Sequence, residues 1–305
     1  MVRAVGVMAA LCVGAWHCRQ ALAADPVLPR IDADTSLLVV APHPDDETLC
    51  CAGLVQHVLA AGGTVSILWL TSGDGSALSL LMVEHRLRTD AAAARELGAR
   101  RMREARAAAS LLGVPAAQQL FLGYPDGGLP QLLSSNRSAV YRAPYTQASS
   151  VPYQDALFPG HPYTGESLER DFAAVLKRVA PTMIAAPSPR DSHPDHRAAG
   201  LLVAAAARGG TTAATLYWIV HGGEGWPSPR GLEPGLPLMT APLMQGVAST
   251  KLELSAHEED RKLDAVREYH TQLQVLAPLL LAFVRTSELY TRDPGLPQPT
   301  AAAAR

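Results

Sequence analysis

Apolar runs of strand length alternate along this chain with segments of helical periodicity, and each run stops at a cluster of Gly, Pro, Asp or His. Continuous apolar runs of this kind suit strands buried on both faces, as in a parallel sheet covered by crossover helices. The runs fall at 36–41, 64–71, 118–122, 182–186 and 215–220, with helices expected over 47–61, 83–112, 167–179 and 195–207. This succession predicts an α/β fold: βαβ units building a mostly parallel sheet with helices on both faces, in a single domain. Residues 129–165 are rich in Ser, Pro, Tyr and Gly and read as a long ordered loop, a type that commonly serves as a lid or binding segment. Beyond a Gly/Pro-rich stretch at 221–244, residues 247–254 alternate like an edge strand. Residues 257–290 read as a closing helix with an irregularity at Pro278.

With 305 residues, 48% of them hydrophobic, the chain can bury a substantial core. A net charge of -2 removes the electrostatic case for a nucleic acid or an anionic membrane surface as partner. Arg3 precedes an apolar stretch, 4–16, that is too short to span a bilayer, and Ala21-Leu22-Ala23 follows as a small-residue cleavage pattern. Residues 1–23 are therefore expected to be a signal peptide, and 24–305 the mature domain, with its core over about 35–290. The expected location is exported, periplasmic or secreted, with no integral membrane domain after cleavage. The mature chain keeps Cys50 and Cys51. Neighbouring cysteines are too close for a relaxed disulfide, so these two are expected to pack separately as small buried residues of the first helix.

Two strand ends carry an excess of ionisable groups. Pro42-His43-Pro44-Asp45-Asp46-Glu47 follows the first run, and His193-Pro194-Asp195-His196 follows the run at 182–186. Open α/β sheets bind ligands outside the carboxyl ends of their strands, and acids crowded there call for a cation to share. Catalytic zinc takes three protein ligands and leaves one position to water. His43, Asp46 and His196 form such a set. Asp45, pointing differently from its neighbour, would stand beside the water that zinc acidifies and act as general base. His193 would lie across the site and, as an imidazolium, stabilise an oxyanion and give a proton to a leaving amine. Asp195 would orient one of the ligand imidazoles, and Glu47 would cap the first helix. The same donor set also accepts iron or cobalt.

These paired motifs resemble the PIG-L/LmbE family of zinc-dependent N-acetylglucosamine de-N-acetylases. The family's usual first motif has Ala where this chain has Pro42, outside the metal ligands. Arg101-Met102-Arg103-Glu104 is similar to the family's Arg-x-x-Glu helix, and 122–129 is similar to its third-strand loop. The resemblance implies a Rossmann-like sheet, one zinc per chain at His43, Asp46 and His196, Asp45 as base, and His193 as oxyanion stabiliser or acid. It also implies Arg101 and Asp126 as contacts to sugar hydroxyls, a task suited to charge-assisted hydrogen bonds. The expected activity is removal of acetyl from an N-acetylated sugar or glycoconjugate, with no nucleic acid as partner. Two alternatives share these motifs: hydrolysis of another N-acyl amide, and carbohydrate binding without turnover. His221 and Trp226, in a loop after the last run, are weaker pocket candidates; Tyr269-His270-Thr271-Gln272 reads as structural.

Overall fold

The computed structural model describes residues 28–75 and 90–295. The expected signal at 1–23, the first residues (83–89) of the helix expected at 83–112, and the tail beyond 295 lie outside the described residues. Five strands form one parallel sheet: β1 (Ser36–Ala41), β2 (Thr64–Thr71), β3 (Gln119–Tyr124), β4 (Met183–Pro187) and β5 (Ala214–Trp218). Their spatial order is β3-β2-β1-β4-β5. The central strand, β1, is buried from Leu37 to Ala41, because neighbours on both edges and helices on both faces leave it no solvent side. Strand connections step outward from β1 in one direction and from β4 in the other. Right-handed crossovers then place α1 (Asp46–Ala60) and α2 (Ala91–Leu111) on one face. On the other face lie α4 (Gly165–Val179) and α5 (Pro194–Arg208), with a short α3 (Leu129–Leu132) packed between them. This is the α/β parallel arrangement expected from the alternation of runs, and it is Rossmann-like, as the family resemblance implies.

Helix α2 starts at Asp90, whose side chain accepts from the Ala92 amide, and runs unbroken through Gly98. A Cβ at Gly98 would collide with the Tyr153 hydroxyl, so glycine serves close packing there and does not break the helix. Cys50 and Cys51 are buried in α1 as expected, but they are bridged to each other and do not stand as separate thiols. The 129–165 segment is packed down, with Val151, Tyr153 and Tyr163 buried and the Tyr163 hydroxyl donating to the Gly123 carbonyl.

The C-terminal region departs furthest from expectation. In place of one helix to residue 290 there are α6 (Ala256–Arg267) and α7 (His270–Leu280), then β7 (Ser287–Tyr290). Pro278 cannot continue the amide ladder, and Leu276 leaves helical geometry just before it. The alternating stretch at 247–254 yields β6 (Thr250–Glu253), which pairs antiparallel with β7 and not with the main sheet. An isolated bridge from Thr291 to Tyr217 ties the end of this ribbon to β5.

This ribbon reaches into α1. Glu288 accepts from the amides of Gly53 (2.8 Å) and Leu54 (3.0 Å). Lys262 Nζ donates to the Leu49 carbonyl and to Glu288 Oε1, both at 2.8 Å, and the Tyr290 hydroxyl donates to the Cys50 carbonyl. The four backbone groups of two successive helical rungs thus each have a side-chain partner. A buried ion pair is costly to break, because the surviving charge is stranded. We expect Lys262→Met to destabilise the fold by about 3–5 kcal/mol, read as a lowered midpoint in urea unfolding. A change below about 1 kcal/mol would show that the Glu288 bonds to backbone amides suffice alone.

Candidate metal centre

The direction of strand order reverses between β1 and β4, and both acid/imidazole clusters lie there, at the carboxyl ends of these adjacent strands. Such a switch point is where open α/β sheets form their ligand crevice. The first cluster opens α1 and the second opens α5, so two helix N-termini, each with partial positive charge, meet at the site.

His43, Asp46 and His196 converge. Asp46 Oδ2 lies 3.3 Å from His43 Nδ1 and 3.2 Å from His196 Nε2, and the two nitrogens are 3.3 Å apart. Ligands about 2.0–2.1 Å from a tetrahedral zinc sit about 3.3–3.4 Å from one another, so these three atoms form one face of such a site. The donor set, two imidazoles and a carboxylate with room for a fourth ligand, fits a catalytic divalent cation.

The outer nitrogen of each imidazole faces carboxylates. His43 Nε2 is 3.1 Å from Asp195 Oδ2 and 3.2 Å from Asp126 Oδ1. His196 Nδ1 is 3.1 Å from Asp191 Oδ2. A proton on each outer nitrogen leaves the inner one free for a cation, the usual carboxylate–histidine–metal relay. Asp195, wholly buried in the first turn of α5, also accepts from the amides of Gly127 (2.7 Å) and Leu129 (3.2 Å), joining the β3 loop to the site. Asp126 accepts from the Gly75 amide at 2.9 Å and borders the cleft. Asp191, absent from the sequence-level set, also accepts from the amides of His193, Val220 and His221. Its only signal in the sequence is an acid two residues before His193.

Electrostatics follow from this packing. Burial works against a charged His196, but Asp46 and Asp191 outweigh it and push its pKa up to about 9. Burial likewise opposes charge on His43, and Asp126, Asp195 and Asp46 raise its pKa well above the usual value. Burial would raise Asp46, yet His196 and His43 hold it well below the usual carboxylate range. Asp45 is pushed well up by burial and by the neighbouring Asp46. Burial, with His43, His196 and His221 close by, takes His193 down to about 3. The sequence suggests an imidazolium here; these neighbours favour the neutral ring, whose Nδ1 accepts from the Asp195 amide at 3.3 Å and leaves the proton on Nε2.

Glu47 accepts from the Asp45 amide at the start of α1 (3.3 Å), as expected of a carboxylate there, but this is the lesser part of its role. It is fully buried and takes bonds from Trp69 Nε1 (2.7 Å), Thr48 Oγ1 (2.7 Å) and the Tyr269 hydroxyl. Asp45 occupies the N-cap position with no side-chain cap bond and a φ of 116°, a conformation costing a non-glycine residue about 1–3 kcal/mol. Its side chain is thereby left to the cleft. Arg101 is buried beside it, donating to the Gly73 carbonyl (2.6 Å) and to Thr271 Oγ1 (3.3 Å), while Glu104 accepts from the Thr271 amide at 3.1 Å. His221 lies against His193 and His196, with ring centroids 5.0 and 4.8 Å away. Trp226, in contrast, is packed on Phe283 and donates to the Met239 carbonyl, away from the site. The cleft is open to solvent and encloses a volume of about 150 Å³. Its polar end carries His43, Asp45, Asp126, Arg101, His193 and His221, and its other wall is Leu276, Leu279 and Leu280 of α7. The described residues that line it come from outside 129–165.

The geometry defines a Rossmann-like α/β protein with a candidate His/Asp cation site at the switch point of its sheet. A model of the PIG-L family, described as GlcNAc-PI de-N-acetylase, matches residues 38–207, more than half of the chain, and the chain belongs to that family. It is 29% identical over 205 residues to the 1D-myo-inositol 2-acetamido-2-deoxy-alpha-D-glucopyranoside deacetylase of Rhodococcus erythropolis, covering 64% of this chain and 58% of that protein. The enzyme of the same name from Salinispora arenicola is 32% identical over 148 residues, 42% of this chain and 46% of that one. The match thus spans about half the length of these curated relatives. A crystal structure of a deacetylase triple mutant from the teicoplanin biosynthetic pathway shares the fold, with a TM-score of 0.53, 16% identity, and coverage of 84% of this chain and 97% of that one. The N,N'-diacetylchitobiose deacetylase of Pyrococcus horikoshii does so at 0.50 and 17%, covering 83% of this chain and 82% of that one.

Protons and a cation compete for His43 and His196. Because both imidazoles bind protons more tightly than usual, zinc must displace protons at neutral pH, and its affinity should fall as pH drops below about 9. Titration calorimetry in buffers of different ionisation enthalpy should show proton release; a heat independent of buffer would contradict this. Asp191→Ala should weaken zinc binding about 10- to 100-fold in a competitive chelator titration.

Proposed function

We propose that this chain is an exported, metal-dependent amidohydrolase that removes acetyl from an N-acetylglucosamine-type sugar or glycoconjugate, releasing acetate and a free amine. The observation that carries this reading is the convergence of His43 Nδ1, Asp46 Oδ2 and His196 Nε2 within 3.2–3.3 Å, with Asp45 next to them in the same cleft. Membership in a family described by GlcNAc-PI de-N-acetylation supports the substrate class, as do the names of the two curated relatives. The sequence pattern of residues 1–23 supports a reaction outside the cytosol.

His43, Asp46 and His196 would hold the cation, zinc in this reading, which when bound supplies Lewis acidity to a water and to the amide carbonyl. Asp45 takes a proton from the attacking water as its oxygen bonds to the amide carbon. The raised proton affinity of Asp45 lets it keep that proton and then pass it to the amine nitrogen as the C–N bond breaks. Neutral His193 donates a hydrogen bond from Nε2–H to the carbonyl oxygen as negative charge develops there and keeps its proton throughout. The amine's proton therefore comes from Asp45 and not from His193. Arg101 at the cleft wall holds sugar hydroxyls and favours the ionised form of Asp45. Asp126 borders the same space, but its oxygens already serve His43 and Gly75, so any sugar contact is shared with that task.

Acetate release should be measured over a panel of N-acetylglucosaminides and non-sugar N-acetyl amides, with zinc content determined on the same samples. Turnover is expected on the sugars, and Asp45→Ala should lower it about 10²- to 10⁴-fold with zinc retained. Undiminished turnover by the zinc-loaded variant would refute the role of Asp45, and turnover confined to non-sugar amides would refute the substrate class.

A further inference from the structure

Both polar groups of the Pro44–Asp45 peptide unit are held by buried side chains. The Pro44 carbonyl accepts from Gln272 Nε2 at 2.6 Å, and the Asp45 amide donates to Glu47 Oε2 at 3.3 Å. Each holder is itself fixed. Gln272 Oε1 takes the Thr271 hydroxyl at 2.7 Å, and Glu47 takes Tyr269, Trp69 and Thr48. The peptide so gripped leads into the one residue of this turn with a positive φ, Asp45. Released, that peptide would rotate toward a relaxed conformation and carry the Asp45 carboxylate with it.

We propose that Gln272, acting on the Pro44 carbonyl, and Tyr269, acting through Glu47, are positioning residues that hold Asp45 in its working orientation. The inference rests on Asp45 being the base of the proposed reaction. Tyr269 and Gln272 lie on and next to α7, beyond residues 38–207 that match the family model, so the C-terminal region completes the site from outside that match. Neither residue reaches the three metal-facing atoms, so the effect falls on turnover and not on metal retention.

The test is a double-mutant cycle pairing Gln272→Met, which removes the donor at similar volume, with Asp45→Ala. Gln272→Met is expected to lower kcat about 10- to 100-fold, the effect of an ångström-scale misplacement, with KM and zinc content unchanged. In the Asp45→Ala background it should cost nothing further. Amide exchange across residues 43–48 should also quicken in the metal-free variant, a readout that needs no turnover. An unchanged kcat, or the same fold-loss with Asp45 already replaced, would overturn the proposal. If Gln272→Met does not fold, Tyr269→Phe in the same cycle decides it, and failure of both to fold would overturn it in favour of a purely structural role. Wild-type turnover in the same assay tests the function itself, so failure of that reading is seen separately.

Discussion

Two imidazole nitrogens and a carboxylate oxygen meeting within 3.2–3.3 Å are the constraint from which the rest of the site follows. Three groups with inward lone pairs repel unless protons or a cation lie between them. Protons can do this only while the imidazoles are charged, and burial opposes that charge at both His43 and His196. The surrounding carboxylates Asp126, Asp191 and Asp195 offset the cost and set which ring nitrogen faces inward. The N-termini of α1 and α5 then temper the accumulated negative charge. A divalent cation satisfies the same geometry without paying for buried imidazolium.

A sheet alone does not deliver this geometry; α1 has to be held at its start and along its length. Glu288, Lys262 and Tyr290 grip it near its middle, and Glu47 and Gln272 fix the turn that opens it. All of these except Glu47 come from the C-terminal region. Stability and function are therefore coupled through one segment: the C-terminal region that grips α1 through Lys262, Glu288 and Tyr290 also carries Tyr269 and Gln272, which hold the turn leading into Asp45.

Much of the architecture is legible in the sequence, because strands buried on both faces announce themselves as apolar runs. The span of β1 is read from Ser36–Ala41 directly, and the paired clusters at 42–47 and 193–196 mark the strand ends that turn out to be neighbours. Side-chain partners are harder to read. Glu47 looks like a helix cap because acids favour that place, and only the packing of Trp69 and Tyr269 shows that it is a buried acceptor. Asp191 lies five residues from the imidazole it supports, with nothing in its spacing to separate it from a turn aspartate. Of the ribbon, 250–253 is legible as an alternating stretch, but 287–290 is missed because it is four residues long and follows an apolar, helix-like stretch. His193 reads as an acid from its residue type alone; burial and three neighbouring imidazoles lower its pKa, which no linear pattern conveys.

X-ray absorption at the zinc edge of the metal-loaded protein tests the central claim most directly. The account predicts two imidazole nitrogens with oxygen ligands at about 2.0–2.1 Å, and loss of imidazole scattering in His196→Ala. A sulfur shell at about 2.3 Å, or a first shell unchanged by that substitution, would contradict it.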